Sequence, residues 1–539
     1  MEKSRHMNIR KRQPNSRDYS PQESAMKQKN TVNLIGGVLL ITLFAKVLGI
    51  VRESLQARAF GTLTAAELYT TANNNTIYLF TTVAYALCVA AVPIFSETLQ
   101  KNREEGYRTA GNLICITLLA SVVVTALWVG LSYTPLMSQL WSGSGESLGQ
   151  LGSYFRIMSL TLPVIVLTYL LVGLFQAQEH FTLQGSMSIP YNLFLVLFLL
   201  IFASQWGVKG YVAAVAVAWL LQFAMTIPYA IKEKLRFYPS LNLRAPYVRR
   251  FFKTALVTVL TTAVFLFCYL MDAAAAGHLS GSTVSAFYYA DKLFAPLSTT
   301  LIYSISTVMF PKFSQQYSKL SHSDYLSYVC TVLRNTLMLI LPASVILSVF
   351  GVPIVRVLFE GGQFTAASTA ETGAIFMFYA LGMAGFCSLD LLNKAYYTMN
   401  RTLKPLLVNA GILLCNFILN AVLAPIMGSS GIALATAISM TLGGIVLAFL
   451  LLGGGKRQPI SGFLKSTAAT IAMGAVLFWA ASLALTGLES KLILIVKCCG
   501  LGAAAAVFYV LLSAVLGQEE MRAALEKYLG RKRKSPQDQ

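Results

Sequence analysis

The sequence predicts an all-α integral membrane protein of about 14 transmembrane helices, built as two six-helix lobes in a parallel internal repeat plus two C-terminal helices. Three observations carry this. The 539 residues are 56% hydrophobic and 12% charged, with a mean hydropathy of +0.62, too little charge to cover a soluble protein of this length. Apolar runs of about 20 residues, each long enough to cross a ~30 Å hydrocarbon core, recur from residue 33 to residue 516. The two halves of the chain also resemble each other at a nearly constant offset.

The runs, numbered here as spans 1 to 14, fall at 33–51, 66–96, 109–132, 152–177, 185–204, 207–231, 254–275, 283–311, 326–350, 369–398, 405–425, 430–453, 466–486 and 491–516. Residues 1–32 are polar and basic and read as a cytoplasmic tail, with no cleavage site after the first run. An N-lobe is then expected at 33–232, a basic cytoplasmic linker at 233–253 and a C-lobe at 254–453. Spans 13 and 14 lie within 454–516, ahead of a basic C-terminal tail at 517–539.

The net charge of +20 invites a nucleic-acid reading, but its distribution argues against one. Most Lys and Arg fall in the tails and cytoplasmic loops, and few (Arg52, Arg58, Lys209, Arg356, Lys491) fall on the outer side. This asymmetry is the positive-inside signature and places both termini in the cytoplasm. Attraction to anionic membrane lipids is a secondary effect of the same charge. The eight cysteines lie in or beside apolar spans without metal-type spacing, so they read as packing residues.

The repeat is visible in short segments. A shift of 218 superposes "YTTAN" (Tyr69–Asn73) on "FYYAD" (Phe287–Asp291), and "VPIFS" (Val92–Ser96) on "FPKFS" (Phe310–Ser314). Further on the shift becomes 221, where "GYVAAVAVA" (Gly210–Ala218) overlays "GIALATAIS" (Gly431–Ser439). Six spans per half is an even number, so the halves share orientation, and a binding site is expected between them.

Charges inside the spans are the candidate functional groups, since each costs roughly 2.5–3.5 kcal/mol on insertion scales unless it faces a cavity or a partner. "FAKVLGIVRES" (residues 44–54) carries Lys46, Arg52 and Glu53, with Arg58 beyond it, and span 8 carries Asp291 and Lys292. Glu67, Asp272 and Asp390 are further acids in or beside spans. One reading is that internal acids neutralise the lysines while Arg52 and Arg58 snorkel to the interface. The other is an anion site, because two or three fixed cations flanking the cleft suit a head group with about two phosphate charges. A lipid-linked anion could then cross with its tail in the bilayer.

At these residues the chain resembles a known family. "AKVLGIVRE" followed by "AFG" (Ala59–Gly61), "GSTVSAFYYADKL" (Gly281–Leu293), "VLFEGGQFTA" (Val357–Ala366) and "TLKP" (Thr402–Pro405) resemble segments of the MurJ (MviN) lipid II flippases. These belong to the multidrug/oligosaccharidyl-lipid/polysaccharide exporter superfamily, and the resemblance covers residues 33–516. It implies two lobes around a cationic cavity, alternating access, and undecaprenyl-pyrophosphate-linked peptidoglycan precursor as cargo. It carries the family's cavity cations onto Lys46, Arg52 and Lys292, with lysine replacing arginine at two of them, and its span 2 acid onto Glu67. Where some members place another arginine in span 2, this chain reads "NNNTIYLFTT" (Asn73–Thr82), so Asn74 and its neighbours either bond sugar or bind helices together.

The resemblance also implies a sodium site on spans 7, 11 and 12, formed by Asp272, Asn416, Asn420, Thr436 and the carbonyl of Ile432. Asn416 and Asn420 are spaced i, i+4 and share a helix face. One carboxylate among neutral oxygens suits a hard monovalent cation. The alternative leaves Asp272 in water at the outer end of span 7. No His-rich, Ser/His/Asp or metal-ligand spacing supports an enzyme. A drug exporter would be expected to carry an acidic cavity, and an exporter of another polyprenyl-linked glycan would share most of these features. A monomer is expected.

Overall fold

The structure, a computed structural model, describes residues 41–42, 44–62, 64–135, 146–262, 264–279, 282–399, 401–452, 461–485, 490–518 and 521–522. The tail expected at 1–32 and most of the one at 517–539 lie outside the described residues. Every regular element among the described residues is helical, and an isolated antiparallel bridge, Gly361 to Phe364, closes one tight turn.

Eleven helices among the described residues are long and apolar enough to cross a membrane, and they match spans 2–6 and 9–14. The chain is a multi-pass membrane protein. The other three predicted spans differ from the simple pattern. Span 1 is described at 41–42 and from residue 44, and stays helical to residue 60, beyond its predicted end at 51. Nothing in "VRESLQARAF" breaks a helix until Gly61, which takes φ +61° and donates its N–H to the Ala57 carbonyl at 2.7 Å. Arg52 and Arg58, expected in an outer loop, therefore stand on the helix. Span 7 comprises helices Pro246–Thr262 and Val264–Ala276, the first opening inside the expected linker with proline where no intrahelical N–H is needed. Span 8 is a single helix of 37 residues, Thr283–Lys319, interrupted in hydropathy by Asp291 and Lys292.

Span 2 is compound: an α-helix Thr64–Asn73, a π turn Asn74–Tyr78 and a second α-helix Leu79–Lys101. The cause is local. Asn75 donates its side-chain amide to the Thr71 carbonyl (3.0 Å), and the Thr76 hydroxyl donates to that of Ala72 (2.6 Å), loosening the ordinary ladder. The 218-residue shift carries Lys101 onto Lys319, the last residues of the span 2 and span 8 helices.

Caps fix where other spans begin. Asn102 accepts from the Glu104 N–H at 3.0 Å ahead of span 3, whose first turn carries Glu104 and Glu105 at the positive end of the dipole. Thr365 caps span 10 by accepting from the Ser368 N–H at 3.2 Å. Spans 10 (Ala366–Thr398) and 12 (Ser429–Leu452) cross closely because glycines line the contact. A Cβ on Gly385 would lie 2.6 Å from the Thr441 backbone. Spans 13 and 14 have a small core of their own, including Met473, Leu477 and Tyr509, which leans on Val345 and Phe350 at the end of span 9.

Contacts between distant elements tie helix ends together. At the predicted cytoplasmic end, Glu233 takes Arg103 (2.6 Å) and His180 (2.7 Å), while the Tyr107 hydroxyl donates to its carbonyl (3.0 Å). The His180 hydrogen bond, aided by Arg103, holds the Glu233 carboxyl below the usual glutamate range. At the opposite end, the helix end at 58–62 meets the turn at 361–364. The Gln363 N–H donates to the Arg58 carbonyl at 2.8 Å, and the Thr62 and Ser368 hydroxyls bond at 2.8 Å.

Two outcomes are expected. Gly362 has φ +58°, and a Cβ there would sit 2.3 Å from the Arg58 carbonyl oxygen. Gly362→Ala should cost about 1–3 kcal/mol from backbone strain alone and lower the thermal midpoint in detergent. Gly411→Ala, where a Cβ would meet nothing within 4 Å, should not lower it; equal midpoints for the two variants would contradict the packing. Glu233→Gln should remove a contribution of at most about 1 kcal/mol. Because the folded carboxyl titrates low, that contribution is present at neutral pH and is lost as pH falls below the ordinary glutamate value near ~4.3. A gap between wild-type and Glu233→Gln midpoints that persists in acid would refute this.

Candidate functional site

Arg52 and Glu53 form a buried ion pair inside the bundle, with side chains 13% and 6% exposed. Neither expectation, an arginine open to a cavity or one snorkelling to the interface, describes this. The pair is buried because aromatic side chains from four other spans surround it. The Arg52 guanidinium lies over the Tyr191 ring at 5.3 Å, and the Tyr288 hydroxyl donates to Glu53 at 3.5 Å. Tyr69 packs between Tyr211 (5.2 Å) and Tyr288 (6.2 Å), and the Tyr211 hydroxyl donates to Gln56 at 2.9 Å.

A second pair lies on span 8. Lys292 meets the fully buried Asp291 at 3.3 Å, and the Tyr78 hydroxyl donates to the same carboxylate at 3.3 Å. The Lys292 ammonium sits over the rings of Tyr78 (4.1 Å) and Tyr288 (4.9 Å). Tyr288 thus joins the two pairs, with its hydroxyl on Glu53 and its ring under Lys292. Asn74 lies beside them, accepting from the Tyr269 hydroxyl at 3.1 Å. Glu67 is buried on span 2, one turn before Thr70, whose hydroxyl bonds Ser285 of span 8 at 3.3 Å.

Not every expected cation joins this cluster. Lys46 is exposed, nearly two turns before Arg52 on span 1. Arg58 is exposed at the end of that helix, where its backbone meets the 361–364 turn. The structure therefore brings Arg52, Asp291, Lys292 and Asn74 together, and leaves Lys46 and Arg58 outside. Each clustered cation has an acid next to it in the chain. A guanidinium and an ammonium so paired present net positive charge only where their acids are drawn away or neutralised.

A separate polar cluster gathers around Asp272, which is fully buried, so the alternative of a solvated end of span 7 is corrected. Its Oδ1 accepts from Asn420 (2.8 Å) and Asn416 (3.2 Å) of span 11. Its Oδ2 accepts from Thr436 of span 12 (2.5 Å) and Tyr379 of span 10 (3.0 Å). Ile432 is buried one turn before Thr436. All five expected residues are thus on three helices around one carboxylate, or a turn away from it. The set fits a hard cation: Asn420 Oδ1 is buried without a hydrogen-bond partner among the described residues, and amide oxygens can turn toward a bound ion.

Sequence reasoning missed Tyr379, because a lone tyrosine on an apolar span has no spacing that marks it. It also passed over Tyr69 and Tyr288 as site residues, although both lie in the repeat segments "YTTAN" and "FYYAD".

Comparison with known proteins agrees with this architecture. The family model described as "Lipid II flippase MurJ" matches residues 56–497. The lipid II flippase MurJ of Burkholderia cenocepacia is 25% identical over 473 residues, covering 84% of this chain and 90% of that protein. The probable lipid II flippase MurJ of Vibrio cholerae is 26% identical over 431 residues, covering 75% and 80%. A solved lipid II flippase MurJ in an inward closed conformation superposes with TM-score 0.74 at 20% identity, covering 90% of this chain and 99% of that one. An inward-facing multidrug resistance MATE family transporter of the MOP superfamily gives TM-score 0.63 at 12% identity, over 80% and 98%. The last two likenesses speak for the fold, while the family model spans most of the sequence, and on that match the chain belongs to the lipid II flippase MurJ family.

Proposed function

We propose that this protein moves lipid II, the undecaprenyl-pyrophosphate-linked peptidoglycan precursor, from the cytoplasmic to the outer leaflet of the cell membrane. The observation that carries the proposal is family membership over residues 56–497, joined to the convergence of Arg52 and Lys292 on Tyr288. The protein binds and reorients its cargo by alternating access and makes or breaks no covalent bond in it. In this reading fourteen spans form two six-helix lobes with spans 13 and 14 appended, both termini are cytoplasmic, and the working unit is a monomer.

The charged cluster supplies the physics of the step. A pyrophosphate carries about the charge that Arg52 and Lys292 can answer, with Arg gripping oxygens in a fork and Lys acting as a point charge. At rest Glu53 and Asp291 occupy those donors and keep the buried cations neutralised. Cargo entering with its tail in the bilayer competes for the cations, and release on the far side restores the internal pairs. Lys46, exposed on span 1, makes the first contact, while Glu67 and Asn74 hold the polar face of span 2. Arg58 serves the end of its helix, where the backbone meets the 361–364 turn. Sodium, when bound, would neutralise Asp272, held by Asn416, Asn420, Thr436 and the Ile432 carbonyl; Asp272 then anchors span 7 to spans 11 and 12.

Three experiments test this. Expression in cells depleted of their own lipid II flippase should restore growth and clear lipid II from the cytoplasmic leaflet; failure with build-up of a different glycolipid would point to another polyprenyl-linked cargo. Arg52→Ala and Lys292→Ala should insert normally yet fail to support growth, since one charge contact at 4 Å is worth about 4 kcal/mol at an effective dielectric of ~20. Lys292→Arg should be tolerated, and full growth with both alanine variants would remove the anion site. In proteoliposomes, an imposed sodium gradient should speed flipping by wild type and not by Asp272→Ala. Equal rates with and without the gradient in wild type would eliminate sodium as the driving ion.

A further inference from the structure

Among the described residues, span 2 leaves α-helical geometry for a π turn at Asn74–Tyr78. A π turn has poorer hydrogen-bond geometry than an α turn, so it persists where neighbours hold it. Both ends of this one are held. Asn74 at its start accepts from the Tyr269 hydroxyl of span 7 at 3.1 Å. Tyr78 at its end donates to Asp291 of span 8 at 3.3 Å and lies under the Lys292 ammonium at 4.1 Å. Tyr269 in turn stands three residues before Asp272, on the same face of span 7.

Against the turn lies a cavity of about 20 Å³, bounded by Thr71, Asn74 and Asn75 of span 2 and by Ala273 and Ala274 of span 7. Thr71 Oγ1 and Asn74 Nδ2 are buried beside it and have no hydrogen-bond partner among the described residues. Each such orphan costs about 1–3 kcal/mol. A polar cavity of that size holds one water, which can satisfy both atoms at once. If the turn relaxed to α geometry, one residue fewer would fill it. Everything beyond would rotate by about 100° relative to what precedes, lifting Tyr78 away from Asp291 and Lys292.

We propose that the π turn Asn74–Tyr78 is a two-state coupling element, stabilised by an ordered water bridging Thr71 and Asn74, which transmits changes at Asp272 to the Lys292–Asp291 pair through Tyr269 and Tyr78. The inference rests on reading the Asp272 cluster as a sodium site. It assigns Tyr269 and Asn74 as positioning residues: they act on the cargo-facing cation through span 2. A physical coupling needs an element with two arrangements that both sites bias, and this turn touches the Lys292–Asp291 pair directly and reaches the Asp272 helix through Tyr269.

The test uses the full chain in lipid nanodiscs, comparing hydrogen exchange in sodium chloride and in choline chloride, and flipping in proteoliposomes under the same salts. In wild type, sodium should slow exchange around Asn416–Asn420 and also over residues 69–80. Flipping should be stimulated about fivefold or more, the lower end of ordinary coupling between sites. Tyr269→Phe, which removes one hydroxyl and keeps the ring, should retain protection around Asn416–Asn420, lose it over 69–80 and reduce sodium stimulation to near unity. Asn74→Leu should behave the same way, and where it fails to fold Tyr269→Phe decides. Sodium protection over 69–80 that survives in Tyr269→Phe, or is missing there in wild type while present around Asn416–Asn420, overturns the coupling and leaves the sodium site intact. No sodium effect around Asn416–Asn420 in wild type overturns both.

Discussion

A carboxylate among packed helices must be answered by donors or by a counter-charge, and the centre of this bundle is arranged around how three of them are answered. Glu53 and Asp291 each have a cation as chain neighbour and a tyrosine hydroxyl from another span. Asp272 has four neutral donors drawn from spans 10, 11 and 12. The difference matters chemically. The first two carboxylates are paired with a protein cation, whereas the third is met by hydroxyls and amides. One fold thus holds two ion pairs, on spans 1 and 8, and a carboxylate on span 7 that is answered by neutral donors.

Tyrosine makes this possible. Its ring packs as an apolar residue while its hydroxyl donates, so it can bury an ion without leaving it unpartnered. Tyr288 does both at once, with its ring beneath Lys292 and its hydroxyl on Glu53. Tyr78 repeats the arrangement against Lys292 and Asp291. The cations at the centre are therefore held by neighbouring carboxylates and by aromatic faces, while the tyrosine hydroxyls satisfy those carboxylates.

Much of the fold was legible because the bilayer permits few solutions: apolar runs of the right length matched eleven membrane-crossing helices among the described residues. The Asp272 cluster was legible as well, since i, i+4 spacing put Asn416 and Asn420 on one face and the family resemblance supplied the partner helices. Boundaries were not. Span 1 ran on to Gly61 because charge alone does not end a helix when its residues are good helix formers and the chain remains buried. The pairing of Arg52 with Glu53 escaped notice because adjacent residues point to different sides of an ideal helix, and only a long guanidinium reaching back allows the contact. Tyr379 and the π turn were invisible for a different reason: both are set by which helices meet, and no local spacing encodes that.

Spans 13 and 14 share a small core with the end of span 9 and the short helix Gly351–Leu358, through Val345, Phe350 and Ile354, and Lys491 donates to the Glu360 carbonyl. For a chain made from its N-terminus, this has a bearing on assembly. The first twelve spans can settle into their final arrangement while the last two are still being synthesised, since the buried residues of the small cluster are separate from those of the larger one. The closing hairpin then docks from the lipid side, as a late addition to a body already formed. Sequence drift in that hairpin, or its exchange for another apolar pair of helices, would leave the earlier folding steps undisturbed.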